Sequence, residues 1–203
     1  MIRISRHGRC LECAVRAFPL HGEEISGDAH VVLETNKGAL VGVVDGLGHG
    51  NEAARASENA LTILTNYREE TLFHLVKRCH EELLQTRGVV FTLASFNFEQ
   101  DTMTWISVGN VEGVLVRANP NEEPSIEHAL QRSGVIGFRL PLIQASILSI
   151  LPGDTLVLAS DGIRPLFHND IKRKTPVETI AQEIGERYLR GVDDAMVLVG
   201  RYA

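Results

Sequence analysis

No apolar run in this sequence is long enough to cross a bilayer, and the N-terminal MIRISRHGRCLEC lacks a signal-type apolar stretch. The expectation is an intracellular, cytoplasmic protein with no membrane partner. A basic excess is also missing. The formal net charge is −6 and the Lys and Arg residues are scattered. The short IKRK run at Ile171–Lys174 reads as a solvated loop. Broad attraction to nucleic acid is therefore not expected. Cysteine is scarce and odd in number, which suits a reducing compartment: there are three. Cys10 and Cys13 form a CxxC, but AVRAFP follows it rather than a thioredoxin-type helix. No second CxxC completes a zinc site, so ordinary strand thiols are the reading. Repeats, low-complexity tracts and linkers are absent. The 203 residues suit one domain over 1–203, with a real core and no separate regulatory domain. Nothing fixes an oligomeric state.

What is present is a succession of short β runs and a few amphipathic helices. Residues 29–45 read as a hairpin, VVLE and ALVGVVD joined by a turn at Asn36, Lys37 and Gly38. A helix is predicted over 52–67, capped by Asn51, with Ala53, Ser57, Ala60, Leu61 and Leu64 on one face. A second covers 70–86, with Leu72, Leu75, Val76, Cys79 and Leu83 as its apolar stripe. The period then changes to two: VVFTLASFNF, TMTWISVGN and GVLVRA form a meander. Strands over 142–150 and 154–160 flank the turn LPGD, a helix runs from about Pro176 to Leu189, and AMVLVGRY closes the chain. Tight turns between strands imply antiparallel pairing, and grouped helices imply an α+β fold rather than a doubly wound one.

Four acidic positions stand at strand ends. Asp28 precedes VVLE and Asp45 follows ALVGVV. If the hairpin turns on Asn36 and Lys37, residues whose numbers sum to 73 face each other, and Asp28 and Asp45 are such a pair. Their Cβ atoms would then lie roughly 4.5–5.5 Å apart. Two bare carboxylates that close repel, so one takes up a proton or a cation sits between them. The pattern recurs in DTLVLAS followed by Asp161-Gly162, and in Asp193 and Asp194 ahead of AMVLVG. In antiparallel sheets the ends of one strand and the starts of its neighbours share a rim, so all four positions can collect there. Oxygen-only clusters suit Mg²⁺ or Mn²⁺. Gly46 and Gly162 leave room for backbone carbonyls to approach such ions.

The pieces SGDAHVV (Ser26–Val32), VVDGLGHG (Val43–Gly50), LASDGI (Leu158–Ile163) and GVDDAMVLV (Gly191–Val199) resemble, in order, the motifs of the metal-dependent protein phosphatases of type 2C, the PPM family. The bacterial SpoIIE/RsbU/RsbX branch is the most similar part of that family. The resemblance implies an αββα sandwich of two antiparallel sheets flanked by helices. It implies two Mn²⁺ or Mg²⁺ ions at one rim and hydrolysis of phosphoserine or phosphothreonine on proteins. Asp45 would bridge the ions, the Gly46 carbonyl would ligate one, and Asp161 and Asp193 would bind one. Asp28 matches the branch's first acidic position, whereas Asp194 sits where the wider family has Asn and is expected behind the ligands. The short chain, with RSGVIGFRLP between its β runs, resembles the RsbX type. That type implies substrates among STAS-domain stressosome proteins of the RsbS and RsbR kinds, with negative feedback on general stress signalling. The alternative is an anti-anti-sigma factor of the RsbV/SpoIIAA kind.

The chain departs from the family in two places. LHGEEISG before Asp28 holds no arginine for substrate phosphate, which leaves Arg6 or Arg164 as candidates. His49 lies four residues after Asp45, so the role of the family's histidine does not carry over. Two other classes compete. Gly48-His49-Gly50-Asn51-Glu52-Ala53 matches the GxGxxA of a nucleotide-binding module, which needs a parallel strand pair and an acid about 20 residues on. A non-catalytic scaffold would be marked by loss of Asp45, Asp161 or Asp193, and all are present. His21, His30 and His49 match no standard zinc spacing.

Overall fold

The computed structural model describes residues 1–20, 22 and 25–203. Two hairpins open the chain: β1 (Ile2–Arg6) with β2 (Arg9–Phe18), and β3 (Asp28–Thr35) with β4 (Gly38–Gly46). Helices α1 (Asn51–Asn66) and α2 (Leu72–Glu82) follow, then β5 (Val89–Asn97), β6 (Thr102–Val108) and β7 (Glu112–Val116). Short strands β8 (Ile126–His128) and β9 (Gln131–Arg132) precede β10 (Ser146–Ser149) and β11 (Thr155–Ala159). A 3₁₀ turn at Phe167–Asp170, helix α3 (Val177–Tyr188) and β12 (Ala195–Tyr202) complete the chain.

The strands form two sheets, ordered β1-β2-β12-β11-β7-β8 and β10-β6-β5-β4-β3, with β9 beside β6. Every pairing between named strands is antiparallel except β6–β9. Three apolar clusters show how the layers stack. Val41, Val43, Phe96, Trp105, Leu115, Leu158, Met196 and Leu198 fill the space between the sheets. Leu40, Val44, Phe91 and Leu93 pack under α1 and α2, while Val114, Val157, Val197 and Val199 pack under α3. Central strands are thus buried on both faces, which is why ALVGVV and MVLV read as unbroken apolar runs. The result is the α+β class read from the strand pattern, in the αββα form that the family resemblance implied.

Several features differ from expectation. The three-strand meander does not form: β5 and β6 pair, but β7 crosses to the other sheet and pairs with β11 and β8. Asn51 does not cap α1. The cap position belongs to Gly50, at φ 72°, with no side-chain hydrogen bond, because the tight exit from β4 demands a left-handed residue there. Thr71 caps α2, its Oγ1 accepting the N–H of His74 at 3.4 Å, and this helix is shorter than the apolar stripe suggested. The strand expected over 142–150 shrinks to Ser146–Ser149, an edge strand beside β6. The N-terminal hairpin was legible only as strand residues around the CxxC. It turns on His7 and Gly8, both at positive φ, the conformation a two-residue hairpin loop requires.

Candidate functional site

The register of β3 and β4 pairs Thr35 with Gly38 and, at the far end, Asp28 with Asp45. These two carboxylates lie on adjacent strands of one sheet. The other sheet contributes Asp161, two residues beyond the end of β11, and Asp193 and Asp194, just ahead of β12. β11 and β12 are antiparallel neighbours, so the end of one and the start of the other meet at the same rim. Asp45, Asp161 and Asp193 line one open cleft of about 610 Å³, together with Gly48, Asn110 and Ser133.

The rim is wired by hydrogen bonds between the two sheets. Ser160 Oγ donates to Asp28 Oδ2 at 2.6 Å and accepts the Met196 N–H at 2.8 Å. Asp194 is buried and takes the N–H groups of Leu20 and Gly27 at 2.8 and 2.7 Å. Its own N–H is held by Asp193 Oδ1 at 2.8 Å. Asp194 therefore braces the backbone that leaves β2 and the backbone that leads into β3, and it is not among the residues that line the cleft. Asn110, in the turn after β6, donates to Asp161 Oδ2 at 2.7 Å. Ser160, Asn110 and Arg190 were not singled out by sequence reasoning. SDG and SVGN contained the first two, but only the fold shows which acid each one holds.

The acids are electrostatically crowded. Burial, opposed in part by the Ser160 bond, raises the Asp28 carboxyl to about 7, with Asp194, Asp161 and Asp193 adding to the rise. Burial followed by the charge of Asp28 raises Asp45 to about 8. Asp161 is raised by burial and by Asp193, against the lowering effects of Arg190 and Asn110. Among the described residues, no three of the aspartates bring one carboxylate oxygen each within 4.8 Å of one another. Asp45, Asp161 and Asp193 line the cleft rather than converge on a point. This donor set is all oxygen, spread out and short of positive charge, and it fits hard divalent ions held partly through water.

The glycines act differently from expectation. A Cβ on Gly46 would stand 2.2 Å from the Ala53 carbonyl oxygen, and one on Gly162 would stand 2.0 Å from that of Asp194. Their missing side chains let the first turn of α1 and the lead into β12 press against strand ends; the vacated space faces protein. Arg6 is excluded as a phosphate ligand. It sits at the β1–β2 turn and approaches Glu34, near the end of the β3–β4 hairpin remote from the acids. Arg164 donates to the Arg187 carbonyl instead. The arginine whose charge reaches Asp161 is Arg190, its N–H bonded to the Gly162 carbonyl at 2.8 Å.

His30 lies half-buried on β3 opposite Val43, His49 lies in the loop before α1, and His21 falls outside the described residues. The nucleotide-binding reading fails on topology: β4 has antiparallel neighbours on both sides, so no parallel βαβ unit surrounds Gly48 and Gly50.

Comparison with known proteins agrees with this architecture. The family model for Stage II sporulation protein E (SpoIIE) matches residues 35–199. Phosphoserine phosphatase RsbX of Bacillus subtilis (strain 168) is 26% identical over 183 residues, 89% of each chain. A structure described under "The bacterial stressosome: a modular system that has been adapted to control secondary messenger signaling" is 31% identical, with TM-score 0.84, over 94% of this chain and 99% of that one. A crystal structure of RsbX in complex with magnesium matches all of both chains, with TM-score 0.87 and 24% identity.

Proposed function

This chain belongs to the SpoIIE family, and from that premise we propose that it is a metal-dependent protein serine/threonine phosphatase. The observation that carries the reading is the buried Asp28 paired across from Asp45, which itself lines the cleft. Among the described residues neither carboxylate makes an ion pair, and burial holds both near neutrality. Such a pair is a socket for positive charge.

Asp28, Asp45, the Gly46 carbonyl, Asp161 and Asp193 would hold two Mg²⁺ or Mn²⁺ ions. When bound, such ions activate water and offset charge on a phosphoryl group. The chain's own residues do the positioning. Ser160 fixes the Asp28 oxygen it bonds, and Asn110 fixes that of Asp161. Asp194 locks the loop before β3 to the start of β12, so acids from two sheets keep one geometry. Arg190, whose charge acts on Asp161, would be the cation available to a phosphate there. The cleft is open, which suits a phosphorylated side chain presented on the surface of a folded protein. A cysteine nucleophile is disfavoured: Cys10, Cys13 and Cys79 are buried, and burial raises Cys13 and Cys79 to about 12.

For the substrate we infer phosphorylated STAS-domain proteins of the RsbS and RsbR kinds, in a cytoplasmic feedback on stress signalling. The similarity to RsbX and to the stressosome-associated structure, each over most of both chains, supports this. No helix among the described residues is long and apolar enough to cross a membrane. The test is phosphate release from a panel of RsbS-like, RsbR-like and RsbV-like phosphoproteins with Mn²⁺ or Mg²⁺. Preference for the first two is expected. Preference for RsbV would move the enzyme to an anti-anti-sigma substrate. Release no faster than from an unrelated phosphoprotein would overturn the substrate reading, and full activity in excess EDTA would overturn the metal-dependent one.

A further inference from the structure

A second group of metal-type ligands lies apart from the aspartates. Among the described residues, only Glu112, His128 and His168 bring three potential ligand atoms within 4.8 Å of one another. Two strands and a turn assemble them. Glu112 opens β7, and His128 on β8 is paired across from Val114. Val114 faces the α3 side of its sheet, and Glu112, two residues away, shares that face. His168 arrives in the 3₁₀ turn, anchored there by the fully buried Phe167.

We propose that Glu112, His128 and His168 form a site for a transition ion of the zinc class, chemically distinct from the acidic rim. His128 Nδ1 stands 3.9 Å from Glu112 Oε1. The two imidazole rings meet edge to face, with centroids 4.9 Å apart and planes at 80°. Nδ1 of His168 is sealed from water with no hydrogen-bond partner among the described residues. Burial and the neighbouring His128 lower the His168 pKa, which favours the neutral imidazole a metal needs. Two imidazoles and one carboxylate is a donor set that takes Zn²⁺, whereas Mg²⁺ prefers oxygen alone. The chain would thus sort ions by hardness.

The test uses the full chain in excess Mg²⁺, with Zn²⁺ as the probe. The protein is passed through a desalting column, the retained zinc is counted, and affinity is read by competition with a chromophoric chelator. One equivalent is expected in the wild type and in Asp45→Asn. His128→Ala and His168→Ala should each weaken binding by ~100-fold or more, since loss of even an outer partner of a ligand costs that order. Circular dichroism verifies folding, and His168→Gln replaces His168→Ala if the latter unfolds. No retained zinc in the wild type, equal retention by the histidine variants, or loss in Asp45→Asn alone would each overturn the proposal.

Discussion

Ser160 Oγ reaches from the end of β11 to Asp28 Oδ2 at 2.6 Å, and this bond, with that of Asp194 to the Gly27 N–H, joins the two sheets at their acidic rim. Because Ser160 also accepts the Met196 N–H, Asp28 is tied to the backbone of β12 through a single hydroxyl. Ser160→Ala leaves the buried Met196 N–H without its partner and should cost roughly 1–3 kcal/mol. Urea unfolding in EDTA measures the loss, and a midpoint unchanged from wild type would remove Ser160 from this bracing role.

Asp45→Asn separates function from folding. The substitution removes the central carboxylate of the rim while keeping its shape. Phosphate release should fall by at least ~100-fold, the order lost when one group stabilising transition-state charge is removed. The metal-free fold should be as stable as wild type or more so, because a carboxylate repelled by Asp28 has gone. Assay and thermal unfolding on one preparation check both.

Stability of the metal-free protein should depend on pH in a direction opposite to that of a salt-bridged acid. Asp28 and Asp45 have folded pKa values of about 7 and 8, above their ordinary value of 3.8. The folded state therefore holds protons that the unfolded chain has released. Stability is fully present below about pH 4 as far as these groups are concerned, and it declines as pH rises to about 8. The melting temperature in EDTA should fall between pH 5 and 8.5, and saturating Mg²⁺ should flatten the slope. A flat EDTA profile would contradict the crowding of the rim.

Gly162→Ala should damage both stability and turnover. Its Cβ would stand 2.0 Å from the Asp194 carbonyl oxygen, so the segment carrying Asp193 and Asp194 must shift. Overpacking of this kind costs about 1–3 kcal/mol. Chemical denaturation and phosphate-release assays report the two effects separately.

Arg117 tests the opposite rim. It is buried and donates to Asp154 Oδ2 at 3.0 Å, to the Ser149 carbonyl and to Glu127. Arg117→Ala leaves the almost fully buried Asp154 without its cation, with only the Ala118 and Leu151 N–H groups to hold it, and should cost about 3–5 kcal/mol. Removing both members by Arg117→Met with Asp154→Leu should cost less than the sum of the single changes, as a double-mutant cycle would show.

Much of the fold was legible because its signals are local. The β3–β4 pairing followed from one turn and the parity of strands, and the helix faces followed from spacing. The acids were visible as strand punctuation. What escaped depends on chain segments far apart in sequence. Asn110 meets Asp161 across 51 residues, and Asp194 meets Gly27 across 167. Arg190 reaches the rim through the backbone of Gly162 rather than through any motif. The purpose of the glycines was misread because a sequence shows a missing side chain without showing what fills its place. Glu112, His128 and His168 escaped for the same reason, since no spacing rule links a strand, its partner and a 3₁₀ turn.

The β3–β4 hairpin sets a gauge at one end and is used at the other. Asn36 lies eight residues from Asp28, roughly 26 Å away at ~3.3 Å per residue. A single residue inserted at that remote turn would leave every acid in the chain intact. Unless the loop takes it up as a bulge, one strand slides past the other by one step, and the pleat turns Asp45 away from the face it shares with Asp28. The separation of two charges at the rim is thus shared between the loop at the far end of the hairpin and the β4–β5 register, and turn variants that shift the register would silence the site.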